Sequence, residues 1–71
     1  MNKLTKEEFA EFTHQVGLML IRYPCLRRGQ AMMNELCRIR PELYNAITAT
    51  ANDPFYIDSK IPNFIKLVVD N

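Results

Sequence analysis

Apolar residues recur at three- and four-residue steps from Phe9 through Phe12, Val16, Met19, Leu20 and Tyr23, which at about 3.6 residues per turn places them on one face of a helix. The helix start is written locally. Thr5 is followed three residues later by Glu8, so the hydroxyl can accept from the Glu8 amide while the carboxylate accepts from the Thr5 amide. Leu4 and Phe9 are spaced for the accompanying hydrophobic staple, and Glu7 and Glu8 lie at the positive end of the helix dipole. Pro24 pushes the residue before it out of the α region, so the pattern predicts a first helix over residues 5–23.

A second helical segment begins between Arg27 and Gly29 and runs to Arg38, with Ala31, Met32, Leu36 and Cys37 as its buried side. Pro41 suits the first turn of a third helix, where its missing amide costs nothing, and Leu43, Tyr44 and Ile47 give that helix its stripe over residues 41–49. The small and polar residues 48–52 weaken it and lead into Asn52-Asp53-Pro54, a turn in which Asp53 can accept from the amides that follow. Phe55, Tyr56 and Ile57 form an apolar cluster on this connection. A last helix opens at Asp58 or Ser59, tolerates Pro62 in its first turn, and spaces Ile61, Phe64, Ile65 and Val68 at i, i+3, i+4 and i+7. β-branched Val68 and Val69 make a strand the competing assignment there. The fold class expected is all-α: a compact single-domain bundle of about four short helices over residues 1–71.

At 71 residues the chain is one domain that buries about 60% of its unfolded surface, too little for an enzyme with a deep cleft. Apolar content of 48%, with only two Gly and four Pro, argues against a disordered chain. The longest apolar run, residues 17–21, is far short of the roughly 20 residues a membrane helix needs. Glu7, Glu8 and Glu11 stand where a secretory signal would have a basic start and an apolar run, so a cytoplasmic protein is expected. Two cysteines and one histidine make neither a disulfide framework nor a four-ligand Cys/His zinc set. Cys25 and Cys37 are expected as reduced, packed thiols, with no metal and no cofactor. So small a core leaves room for a homo-oligomer, and Met19, Met32 and Met33 could either fill the core or form an adaptable contact surface.

Charge is unevenly placed, at +3 over residues 1–40 against −2 over residues 41–71. Arg22, Arg27, Arg28, Arg38 and Arg40 lie within nineteen residues with only Glu35 among them. Their planar forks suit carboxylates and phosphates, so the cluster either binds an anion or pairs internally with Glu42, Asp53 and Asp58. Nucleic acid, bound by a helix-turn-helix of the second and third helices about the break at Arg38-Ile39-Arg40-Pro41, is the weaker alternative. The segment 41–49, which would serve as a recognition helix, has no basic residue, and a net charge of +1 gives little attraction to a phosphate backbone. A small anionic ligand needs fewer charges: Arg27, Arg28 and Gln30 at a helix start with Gly29 leaving amides open, and Phe55 and Tyr56 for stacking. The spacing is not that of a P-loop or dinucleotide fingerprint. No nucleophile–base constellation is visible around His14 or either cysteine. Asp53 and Asp58 have neither a third carboxylate nor EF-hand spacing, so no catalytic residue is assigned.

The segments Arg28-Gly29-Gln30-Ala31 with Asn34, and Asp53-Pro54-Phe55-Tyr56 with Asp58, followed by Ile61-Pro62 and Phe64, resemble a group of short proteins encoded by tailed bacteriophages and prophages. The likeness extends over about residues 9–68, and its most specific pieces are R-G-Q-A-x-x-N and D-P-F-Y-x-D. It implies a common origin and fold, and that Gln30, Asn34, Asp53, Tyr56 and Asp58 belong together. An Asp-Pro turn docked on the start of the second helix could hydrogen-bond Gln30 and Asn34 while Asp58 pairs with Arg28. This would be either a satisfied structural network or a polar pocket beside Phe55. By analogy with small phage proteins that lack catalytic residues, the function expected is stoichiometric binding to a bacterial host protein, of a host-takeover or anti-defence type. Met33 and Ile39 are the first choices for contact residues. The alternative is capture of a small anionic ligand such as a signalling nucleotide by Arg27, Arg28, Phe55 and Tyr56.

Overall fold

The computed structural model describes residues 3–69, and across them the single domain expected over residues 1–71 is an all-α fold. The elements are α1 (Lys6–Arg22), α2 (Arg28–Ile39), α3 (Pro41–Ile47), a 3-10 turn (Asp58–Lys60) and α4 (Ile61–Val68). The radius of gyration, 11.1 Å, is what a compact chain of this length should have, about 11 Å.

α1 begins with the capping box its sequence announces. The Glu8 amide donates to Thr5 Oγ1 at 3.1 Å and the Thr5 amide donates to Glu8 Oε1 at 2.9 Å. Leu4 is fully buried and Phe9 packs on the same core, as the staple requires. The helix buries Phe12 and Val16 and stops at Arg22, before Pro24. Tyr23 departs from its expected place in the core stripe and is half exposed, because it is the C-cap and its backbone, φ −126° and ψ 76°, has already left the helix.

α2 is the centre of the bundle, packed against both α1 and α3. A helix covered on two sides buries an arc wider than the ~100° stripe of a surface helix. Ala31, Met32 and Leu36 are buried as expected, and so are Gly29, Met33 and Glu35. Two expectations fail here for the same reason. Met33 is fully buried and cannot be a contact residue, and Cys37, expected inside, lies beyond the arc and is exposed. Cys25, on the connection after Pro24, is exposed as well, so neither thiol is packed. Ile39, the other expected contact residue, is half-buried against the core.

α3 carries Pro41 in its first turn and buries Leu43 and Ile47. It ends two residues before the expected Ala49. Ala49 turns into the left-handed region, φ 63°, its amide donates to Asp53 Oδ2 at 2.7 Å, and Thr50 Oγ1 donates to the Ile47 carbonyl. Side chains that bond nearby backbone compete with the next helical turn. α4 buries Ile61, Phe64 and Val68 at the predicted spacing, which settles its segment as helix. Val69 alone is extended and forms an isolated parallel bridge with Leu4, the Leu4 amide donating to the Val68 carbonyl at 2.7 Å. Together Leu4, Phe12, Met33, Leu36, Leu43 and Phe64 form the fully buried heart of the core.

Candidate functional site

The two segments R-G-Q-A-x-x-N and D-P-F-Y-x-D meet in space. Gly29 in the first turn of α2 lies against the buried Pro54, and a β-carbon at Gly29 would stand 1.9 Å from the Pro54 carbonyl oxygen. Arg27 Nη1 donates to the Tyr56 carbonyl at 3.1 Å, so the residue preceding α2 ties down the same turn. The Asp-Pro turn is therefore docked on the start of α2, but through the Gly29–Pro54 approach and the Arg27–Tyr56 hydrogen bond and not through the side chains expected to hold it. Asp53 uses both carboxylate oxygens within its own turn, Oδ2 on the Ala49 amide and Oδ1 on the Phe55 amide at 2.9 Å. Gln30 is half-buried and Asn34 exposed, and neither bonds to the turn. Among the described residues Asp58 makes no ion pair with Arg28, and both are exposed. Of the expected cluster, then, Asp53, Phe55 and Tyr56 share one turn and Arg27 bonds to it from the residue before α2, while Arg28, Gln30, Asn34 and Asp58 join no network with it.

The five arginines do not form one anion site. Arg38 is bound bidentately by Glu35, its Nε donating to Glu35 Oε1 at 2.8 Å and Nη2 to Oε2. This places a carboxylate of a residue only 2% exposed beneath an exposed guanidinium, and the hydrogen bond raises the Arg38 pKa above its ordinary value. Arg40 joins Glu42 and reaches Glu8 Oε2 at 3.3 Å, linking the start of α1 to the α2–α3 junction. The Thr5 amide foremost, and the Arg40 charge with it, hold the Glu8 carboxyl below its ordinary value; the Arg40 hydrogen bond does the same for Glu42.

Besides a small apolar cleft of about 140 Å³ that Arg28 lines with Phe9, Phe12 and Met32, two larger surface concavities stand out among the described residues. One, about 440 Å³, sits over the end of α3, walled by Tyr44, Phe55 and Tyr56, with Asp53 and Lys60 as its charged groups. Phe55 and Tyr56 pack edge to face at 4.7 Å, and Tyr56 is 76% exposed. Neither Arg27 nor Arg28 lines it, so Lys60 is its cation. The other, about 650 Å³, is a groove between the last turns of α1 and the outer side of α2, lined by Leu18, Met19, Ile21, Arg22, Tyr23 and the Glu35–Arg38 pair. Leu18 is 48%, Tyr23 51% and Ile21 80% exposed.

Leu18 and Ile21 stand outside the predicted core stripe of α1. The signal for them is the apolar run 17–21, which is longer than one face of a helix can bury and so must present side chains outward. Among the described residues no group of three or more His, Cys, Asp and Glu could hold a metal ion, and no helix is long and apolar enough to cross a membrane. The chain matches no protein-family model, no curated protein and no solved structure.

Proposed function

We propose that this chain is a non-enzymatic accessory protein of bacteriophage origin that works in the cytoplasm of the host cell by stoichiometric binding to a bacterial host protein, as host-takeover and anti-defence proteins do. The observation that carries the reading is Ile21, 80% exposed beside Leu18 and Tyr23 at the rim of a 650 Å³ groove. A core this small has few apolar side chains to spare, and large apolar residues grouped on the surface mark interaction sites where isolated ones do not. The contact surface is thus assigned to the end of α1 in place of Met33 and Ile39.

Native mass spectrometry of the protein purified gently from infected bacteria tests this. The unaltered chain should retain a host protein in fixed stoichiometry, and Ile21→Asp should lose it while melting at the same temperature. Retention unchanged by Ile21→Asp would overturn the assignment. One observation favours a second reading, capture of a small anionic ligand with a flat apolar body: the concavity over α3 has aromatic walls, with Lys60 as its cation and an Asp53 whose carboxylate is already bonded to the Ala49 and Phe55 amides. An added mass of a few hundred daltons per chain, lost in Tyr56→Ala, would move the function there.

A further inference from the structure

We infer that the cleft of about 140 Å³ where α1, α2 and α4 converge binds a small apolar monocarboxylate, its hydrocarbon body lying on Phe12, Val16, Met32 and Phe64 and its carboxylate on the Arg28 guanidinium. The inference goes beyond the protein contact proposed above and shares no residue with that groove.

The cleft exists because α2 packs closely on α1 while α4 comes less close to it, which leaves a space among the three helices. Its floor is core, since Phe12, Val16, Met32 and Phe64 are all buried. Its sides are the half-buried Phe9, Leu20 and Ile65. Gly17 adds to the opening: a β-carbon built there would meet nothing within 4 Å. Glycine weakens a helix interior relative to alanine, and nothing packed against Gly17 requires one.

Size and charge select the ligand. An apolar cavity of about 150 Å³ holds one benzene ring, so this space fits a body of about six carbons. Arg28 is the one charged residue of the lining, and among the described residues it makes no hydrogen bond or ion pair. That sets it apart from Arg38, engaged by Glu35, and from Arg40, engaged by Glu42 and Glu8. The Thr13 hydroxyl donates to the Phe9 carbonyl at 2.8 Å and so has no proton left for an anion. Recognition of charge therefore falls to a single free guanidinium beside an apolar pocket. One carboxylate matches that fork in charge and geometry, whereas a phosphate dianion would be left half neutralised.

The test is titration of the full chain with three probes, followed by amide and methyl chemical shifts. Phenylacetate has both the ring and the carboxylate, phenethylammonium the same ring with the opposite charge, and acetate the charge without the body. Phenylacetate should bind saturably with a Kd of about 1 mM or below and perturb Thr13, Gly17, Leu20, Met32 and Ile65. The other two probes should bind at least about tenfold more weakly. Arg28→Met should lower the affinity for phenylacetate about tenfold and erase the preference for the anion. Gly17→Leu should fill the mouth and abolish binding while melting no lower than the unaltered chain, since leucine is the better helix former. Should that variant melt lower, Arg28→Met on the exposed rim decides the matter. Ile21→Asp, which removes the proposed protein contact, should bind phenylacetate as before, so each reading fails on its own variant. No saturable binding of phenylacetate, equal binding of either control, shifts centred on Tyr44 and Tyr56, or full affinity in Arg28→Met would each overturn the inference. So would the same resonances moving with protein concentration alone, which would seat a second copy in the cleft.

Discussion

Gly29 lies so close to Pro54 that the start of α2 and the Asp53–Pro54 turn touch backbone to backbone, with 1.9 Å between the Pro54 oxygen and the place a β-carbon would take. Only a residue without a side chain lets the two pieces meet. This one approach holds the long connection between α3 and α4 against the centre of the bundle, with Arg27 bonded to the Tyr56 carbonyl as its second tie.

Gly29→Ala should therefore be costly although alanine favours a helix. The obstacle is backbone and cannot rotate away, so the turn must lift from α2 at a cost of about 2 kcal/mol, or about 10 °C in Tm for a domain of this size. An unchanged Tm by calorimetry would show that the contact does not organise the connection.

Ala49 and Ala46 make an internal control for backbone strain. Ala49 sits at φ 63°, where glycine is free of the side-chain clash, so Ala49→Gly should stabilise the fold by about 1 kcal/mol. Ala46 lies within α3, and Ala46→Gly should cost about as much by adding chain entropy to the unfolded state. Urea denaturation of the two variants should give opposite signs; equal signs would refute the left-handed assignment.

The Glu35–Arg38 pair should behave as a buried acid with a single exposed partner. Arg38→Ala strips that partner from a carboxylate of which 3% is accessible, and should lower the Tm. Adding Glu35→Leu should restore most of the loss, since the unpaired charge is then gone. A double variant no more stable than Arg38→Ala alone would show that the cost is packing and not the orphaned carboxylate.

Acid should unfold the protein partly through Glu8 and Glu42. Both carboxyls have folded-state pKa values below the ordinary 4.5, so their contribution is present above 4.5 and is lost as pH falls through the lowered values. Tm should hold from neutrality to about the ordinary carboxylate range and then drop. Glu8→Gln should shallow that drop, and Thr5→Ala should do the same while also lowering stability by about 1 kcal/mol through loss of the cap. A wild-type acid limb retained in full by Glu8→Gln would place the titration elsewhere.

Much of this fold is legible in the sequence because it is decided within four residues of itself. The Thr5–Glu8 box, Pro24 after α1, Pro41 at the head of α3, the Asp53 turn and the four-residue rhythm of α4 are local hydrogen bonds and local sterics, and each stands where the pattern predicts it. The end of α3 is less so, since Ala49 leaves the helix for a bond to Asp53 that propensity does not register.

What only the tertiary structure decided is which side chains remain exposed. Periodicity names one face per helix, but α2 is enclosed on two sides, which buries Met33 and Glu35 and puts Cys37 outside. Leu18 and Ile21 of α1 are left on the surface, 48% and 80% exposed. R-G-Q-A-x-x-N and D-P-F-Y-x-D mark segments that meet, yet their contact is Gly29 against Pro54 and not a web of Gln30, Asn34 and Asp58. Helix formation is local and follows the order of residues. Burial is a property of the assembled bundle, set by helices that are distant in the chain.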